Sequence, residues 1–113
     1  MIILLHSSKT MKLTRPAGLE LSRPALAAQA QKLGVYLASM KLKEIQSIMG
    51  VSGNLAQEIM ATASSWPSSN HQGSALHSFR GDVFSGLQVT SFDKKDLAYA
   101  NQHLKIVSGL YGL

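Results

Sequence analysis

The chain has 113 residues, of which 45% are hydrophobic, 15% are charged and none is cysteine. This length predicts a single domain with a modest core. The lack of cysteine excludes a disulfide framework and a thiolate metal site. The apolar start is too short for a signal peptide, and no apolar run approaches the roughly 20 residues of a transmembrane helix. We therefore expect a soluble, cytoplasmic protein that does not bind membranes.

The net charge of +5 is spread unevenly along the chain. Residues 1–43 carry seven lysines and arginines against one acidic residue, whereas residues 44–113 carry four bases and five acids. A basic first third suits a polyanionic partner, although a moderately basic solvated face is also common.

The predicted elements are mainly helices, with two short strands at residues 2–5 and 104–107. The first strand is wholly apolar and predicts burial. Pro24 marks the start of the first helix, and Thr90 with Asp93 suggests a capping box for the last one. Helices are predicted at about residues 24–40, 42–49, 53–65, 75–79 and 91–103, and a long loop at residues 6–21.

These elements predict an α+β fold that is mainly helical with a few short strands. The strands are so few and so far apart that a sheet built from them alone would have exposed edges. The chain also stops directly after a glycine-rich turn. Both features suggest that this is a fragment of a larger fold.

Residues 45–59 are typical of a helix-hairpin-helix, which would occupy about residues 41–65. Gly50 can adopt the left-handed conformation that ends a helix, and Val51 would point inward to tie the two helices together. Ser52 is a good N-cap for the second helix. The free N–H groups that begin that helix, together with its dipole, could bind a phosphate without any side-chain charge.

The hairpin therefore predicts contacts to the backbone of DNA or RNA that do not read sequence. Many such hairpins have glycine in place of Ser52 and lysine in place of Asn54. The alternative is an ordinary helix pair whose turn needs glycine. The predicted DNA-binding residues are Lys41, Lys43, Gly50, Val51, Ser52, Gly53 and Asn54.

A second candidate site combines residues that follow the first strand with residues near two glycines. Lys9 and Thr10 would lie close to the carboxyl end of the strand, where ligand contacts often occur. Arg80 and Asp82 could bind phosphate or orient a substrate. The alternatives are a surface lysine at position 9 and an Asp82 that caps a turn and pairs with Arg80.

The histidines do not predict a metal site. No two of them have the i, i+4 spacing that places ligands on one helical face, and no carboxylate cluster accompanies them. They are His6, His71, His77 and His103. We expect no bound metal or cofactor, and we expect Trp66 to be a core anchor.

Three segments resemble the YaaA family of bacterial peroxide stress proteins. Residues 79–87 (FRGDVFSGL) and 102–113 (QHLKIVSGLYGL) carry the closest likeness. Residues 2–10 are similar to the family's N-terminal signature, with His-Ser-Ser where Ser-Pro-Ala usually precedes the Lys-Thr pair. The hairpin also falls where that family has its helix-hairpin-helix.

The resemblance implies the N-terminal part of a single YaaA-like domain whose C-terminal half is absent here. It further implies an uncommon α+β fold, binding of duplex or distorted DNA in a basic cleft, and a role in limiting hydroperoxide damage and free intracellular iron.

Three functions stay open from the sequence. The first is a DNA-binding stress-protection protein with weak, salt-dependent affinity. The second is a nucleic-acid-processing enzyme in which Lys9 or Asp82 acts on a damaged or flipped base. The third is a packing module in which the hairpin only joins helices. The oligomeric state cannot be predicted.

Overall fold

The computed structural model describes residues 1–66 and 72–113, which form two compact units. One unit contains residues 1–25 and the chain from residue 72 to Leu113, and the other contains the chain from Leu26 to Trp66. In chain order the helices are α1 (Ala27–Ser39), α2 (Leu42–Met49), α3 (Gly53–Ser65), α4 (Ala75–Ser78), α5 (Asp82–Leu87) and α6 (Lys94–His103), with a 3₁₀ turn at Val89–Ser91.

The first unit contains a two-stranded parallel sheet. Strand β1 (Ile3–His6) pairs with β2 (Leu104–Val107) over four residues. Strand β2 has the predicted bounds, and β1 begins and ends one residue later than predicted. Within the described chain no further strand extends either edge of the sheet. The expected burial of the first strand is wrong for this chain, since Leu4 is 58% exposed. Parallel strands are normally covered on both faces by other layers, and here that cover is incomplete.

The segment after β1 is held in place by the region around α4. Met11 forms an antiparallel bridge with Phe79, and the Lys12 N–H donates to the Ser78 carbonyl over 2.8 Å. The Ser78 hydroxyl is 1% exposed and accepts from the Thr14 N–H at 3.0 Å. Part of the predicted long loop is therefore fixed by backbone and side-chain hydrogen bonds.

Helix α6 is capped by a different pair of residues from the predicted one. The Asp93 carboxylate accepts from the N–H groups of Lys95 and Asp96, at 2.7 and 2.9 Å, and the Asp96 carboxylate accepts from the Asp93 N–H at 3.0 Å. Thr90 lies in the preceding 3₁₀ turn. The predicted box was thus displaced by three residues, because aspartate satisfies the first free N–H groups directly.

The second unit packs α1 and α2 against α3. Among the described residues of this unit, Ile45 of α2 is the only large side chain that is fully buried, and it has no exposed surface. The other buried residues of the unit are small, namely Ala30, Gly34, Ala56 and Ala63. A Cβ atom at Gly34 would overlap the indole ring of Trp66, so the absence of a side chain lets that ring lie directly on α1. The predicted bounds of α2 and α3 are confirmed, as is the mainly helical α+β class.

Candidate functional site

The turn between α2 and α3 has the conformation that the sequence predicts. Gly50 ends α2 with φ 62° and ψ 37°, the left-handed region, and its N–H donates to the Gln46 carbonyl at 2.9 Å. A Cβ at Gly50 would meet no atom within 4 Å. The requirement for glycine here is therefore conformational and not a matter of space.

Ser52 begins α3 as its N-cap. The Ser52 hydroxyl accepts from the Leu55 N–H at 3.4 Å, and the Ser52 carbonyl accepts from the Ala56 N–H at 2.9 Å. Ser52 itself has extended backbone angles of −66° and 162°. The cap fixes the direction in which the first turn of α3 presents its backbone.

Four consecutive backbone N–H groups are left available at this turn. Within residues 1–66 and 72–113, no hydrogen bond uses the N–H of Val51, Ser52, Gly53 or Asn54. Ser52 and Asn54 are exposed, and the other two residues are half-buried. The first N–H groups of a helix have no partner inside that helix, and they carry the positive end of its dipole. An anion can reach them.

Lys41 and Lys43 lie at the opposite end of α2 from this turn. Both are exposed, and α2 runs eight residues from Leu42 to Met49. At 1.5 Å per residue, Lys41 is on the order of 12 Å along the helix from Gly50. The two lysines and the free N–H groups therefore cannot hold the same phosphate.

Only some of the apolar side chains of the hairpin are buried. Ile45 is fully buried, but Ile48, one turn later in the same helix, is 74% exposed. Met49 and Leu55 beside the turn are also exposed. A helix of two turns does not reveal from sequence which of its apolar positions faces the neighbouring helix.

A cleft of about 190 Å³ lies in the first unit, where β1 ends. The first segment of chain contributes a histidine and a serine, and the start of α5 contributes the rest. The lining residues are His6, Ser8, Arg80, Gly81, Asp82, Val83 and Phe84. Phe84 is 6% exposed, and its ring centroid lies 5.3 Å from that of Phe79, which gives the cleft a buried aromatic base.

Arg80 and Asp82 both line this cleft, but they do not pair with each other. Arg80 instead donates to the carbonyls of His77, at 2.6 Å, and Phe79, at 3.1 Å, and to the Thr14 hydroxyl at 3.1 Å. Asp82 is the first residue of α5, a helix that the sequence analysis missed. Six residues flanked and interrupted by glycines give too little periodicity to distinguish a helix from a turn.

Lys9 and Thr10 are exposed and do not line the cleft. Thr10 acts through its backbone: its carbonyl accepts from the Arg80 N–H at 3.0 Å, and its N–H donates to the Ser8 hydroxyl at 3.2 Å. The side chains of His6 and Ser8 occupy the place that we predicted for Lys9 and Thr10.

The family profile described as "Peroxide stress protein YaaA" matches residues 1–113. The chain belongs to this family. A UPF0246 protein of Salinispora tropica is 37% identical over 114 residues, covering 100% of this chain and 43% of that protein. A UPF0246 protein of Janthinobacterium sp. (strain Marseille) is 37% identical over 117 residues, covering 100% of this chain and 45% of that protein. The YaaA-family chain thus spans less than half the length of these curated relatives.

The histidines of this YaaA-family chain are dispersed. His6 lines the cleft, His77 is 9% exposed beside the Ser74 hydroxyl, and His103 stacks on Tyr99. Burial lowers the pKa of His77. His71 lies outside the described residues. Among the residues that are described, no three histidines, aspartates or glutamates come together as a metal site, and no helix is long and apolar enough to cross a membrane.

Proposed function

We propose that this chain supplies DNA binding to a peroxide stress protein. The binding element is a helix-hairpin-helix formed by α2, residues 50–52 and α3. The observation that carries the proposal is the run of four accessible backbone N–H groups at residues 51–54, which follows a left-handed Gly50 and is oriented by the Ser52 cap. The predicted partner is duplex or distorted DNA.

The free N–H groups account for binding that does not depend on base sequence. These N–H groups have no partner among the described residues, and the dipole of α3 adds positive potential at its first turn. A phosphate oxygen is the acceptor that fits such a site. Phosphate contacts fix the position of a protein on DNA but carry no base information. The hairpin therefore serves as a backbone clamp.

Lys41 and Lys43 extend the contact along the DNA strand. Successive phosphates of one strand advance about 3.4 Å along the duplex axis, so a distance on the order of 12 Å corresponds to roughly three nucleotides. The lysines would neutralise phosphates at that distance from the one held by the hairpin. Two neutralised phosphates give a salt dependence with a slope of about −1.8 in a plot of log affinity against log salt.

The biological role that we propose is protection of DNA in the cytoplasm from iron-dependent oxidative damage. Membership of a peroxide stress family supports this role. Protein bound along the DNA backbone would keep iron and hydroperoxide away from the sugars that radicals attack. No metal site on this chain is required for that effect.

A band-shift titration with a short duplex tests the binding. We expect a Kd of about 10⁻⁴ to 10⁻⁶ M, typical of nonspecific binding, that weakens about twelvefold between about 50 and 200 mM salt. Ser52→Glu should weaken binding at least about fivefold at every salt concentration, because a carboxylate about 4 Å from a phosphate is repelled by about 1 kcal/mol even in water.

Ser64→Glu provides the matched control, since Ser64 is exposed near the opposite end of α3. It introduces the same charge and should change affinity by less than about twofold. Lys41→Gln should instead reduce the salt slope by about 0.9. Equal losses for both serine variants, or no shift of the duplex by the unmodified chain, would refute the clamp.

The protective role needs its own measurement. Plasmid DNA is treated with ferrous iron and hydrogen peroxide, and strand breaks are counted on a gel. We expect fewer breaks with the unmodified chain than with Ser52→Glu at equal concentration. If both reduce breaks equally, the protection does not come from DNA binding.

A further inference from the structure

The cleft at the end of β1 is built on a fixed frame. The segment around residues 10–14 is hydrogen-bonded to the region around α4, and the Ser78 hydroxyl that joins them is 1% exposed. Arg80 follows this frame directly, with its N–H bonded to the Thr10 carbonyl. Thr10 connects the two cleft residues, since its carbonyl accepts from the Arg80 N–H and its N–H donates to the Ser8 hydroxyl.

Arg80 carries a positive charge that no acidic residue compensates. Its guanidinium is half-buried and bonds only to two carbonyls and one hydroxyl. No ion pair involves it in the part of the chain that the structure describes. Three of its donor interactions are used by the protein, and a guanidinium has five N–H groups. Two N–H groups of the guanidinium therefore have no partner among the described residues, and an anion is the acceptor that best matches their charge.

Ser8 and His6 also line the cleft. The His6 Nδ1 donates to the Ser7 carbonyl at 2.8 Å, so Nε2 of the neutral ring is an acceptor for a ligand hydroxyl and not a donor to an anion. Ser8 accepts from the Thr10 N–H and keeps its own O–H as a donor. Arg80 and Ser8 come from two separate segments of chain, and a phosphate offers several oxygen atoms to such a pair of donors.

Asp82 and Gly81, at the start of α5, limit which chemical groups a ligand of the cleft can have. Asp82 lines the cleft, is exposed, and has no partner among the residues described. It can accept a hydrogen bond from a hydroxyl group, and it would repel a bare anion. Gly81 has φ 113°, which excludes other residues, and a Cβ there would lie 3.5 Å from the Ser8 hydroxyl, inside the cleft.

We infer that this cleft binds a small phosphomonoester that also carries a hydroxyl group, such as a phosphorylated sugar. Arg80 and Ser8 would hold the phosphate, and Asp82 would accept from the hydroxyl. The cleft volume of about 190 Å³ limits the ligand to a small molecule. The inference does not depend on DNA binding, since every residue it uses belongs to the first unit and the hairpin belongs to the second.

The test is an NMR titration of the intact ¹⁵N-labelled chain with ribose 5-phosphate, inorganic phosphate and acetate. We expect shifts at residues 6–8 and 80–84 with ribose 5-phosphate, weaker binding of inorganic phosphate, and none of acetate. Arg80→Gln should raise the Kd for ribose 5-phosphate at least about tenfold, because a charge-assisted bond is lost. Arg23→Gln removes the same charge from an exposed position and should leave the Kd unchanged.

Asp82→Asn keeps the test decisive if Arg80→Gln does not fold, since the exposed Asp82 side chain makes no contact that folding needs. This variant should weaken ribose 5-phosphate by about threefold to tenfold and leave inorganic phosphate as tight or tighter. Any of three results would overturn the inference. Ribose 5-phosphate could cause no shift, or acetate could bind as tightly as ribose 5-phosphate. The Asp82→Asn variant could also bind ribose 5-phosphate and inorganic phosphate with the affinities of the unmodified chain. Ser52→Glu should leave this titration unchanged, which separates failure of the cleft from failure of the DNA clamp.

Discussion

Replacing Ile45 by alanine tests how the hairpin is held to the rest of its unit. Ile45 lies in the first half of α2, has no exposed surface and is the largest fully buried apolar side chain among the described residues. The buried residues of α1 and α3 are alanines and a glycine, which have few side-chain atoms to fill the space of a lost side chain. Truncation should therefore leave a cavity between α2 and α3.

The expected cost follows from the atoms removed. Isoleucine to alanine deletes three buried carbon groups, and about 0.8 kcal/mol for each gives about 2.4 kcal/mol of lost transfer free energy. The unfilled cavity adds to this, so the total loss should lie in the upper part of the range of about 2–5 kcal/mol. Ile48→Ala removes the same atoms from a side chain that is 74% exposed and should cost less than about 0.5 kcal/mol.

Urea unfolding followed by circular dichroism measures both variants. With a urea slope of about 1–3 kcal/mol per M, the transfer term of about 2.4 kcal/mol alone lowers the unfolding midpoint by about 0.8–2.4 M, and the cavity lowers it further. Ile48→Ala should barely move the midpoint. Similar midpoints for the two variants would refute the packing argument, because they would mean that α2 is not anchored to α3 through Ile45.

Three further predictions follow from the packing, capping and burial of single residues. Gly34→Ala should lower the free energy of unfolding by about 1–3 kcal/mol and shift the fluorescence of the chain's single tryptophan, because the new Cβ displaces the indole ring; Gly86→Ala, where a Cβ meets no atom within 4 Å, should do neither. Asp93→Ala should cost about 0.5–2 kcal/mol in urea unfolding through loss of the α6 cap, whereas Thr90→Ala should be nearly neutral. Because burial lowers the pKa of His77, the unfolded chain binds a proton at this residue more readily than the folded chain does. The His77 contribution to stability should therefore be fully present above about pH 6.5 and be lost as the pH falls. The urea midpoint measured against pH should follow this loss, and His77→Gln should flatten that part of the profile.

The sequence alone was sufficient for the elements whose signals are local. The bounds of α2, α3 and β2, the left-handed Gly50 and the Ser52 cap all follow from residue types within one or two turns. The resemblance in residues 79–87 and 102–113 likewise identified the family that the profile confirms. Caps, turns and motifs depend on neighbours in the chain, so they can be recognised without a fold.

Only the tertiary structure decided which residues meet. It selected His6 and Ser8 for the cleft in place of Lys9 and Thr10, and it gave Arg80 two carbonyls and a hydroxyl as partners in place of Asp82. Partner choice depends on hydrogen bonds between segments more than 60 residues apart, such as the one between Thr14 and Ser78 at a separation of 64. The residue types of one short segment do not show which of its side chains will face a cleft, because that depends on hydrogen bonds to a distant segment.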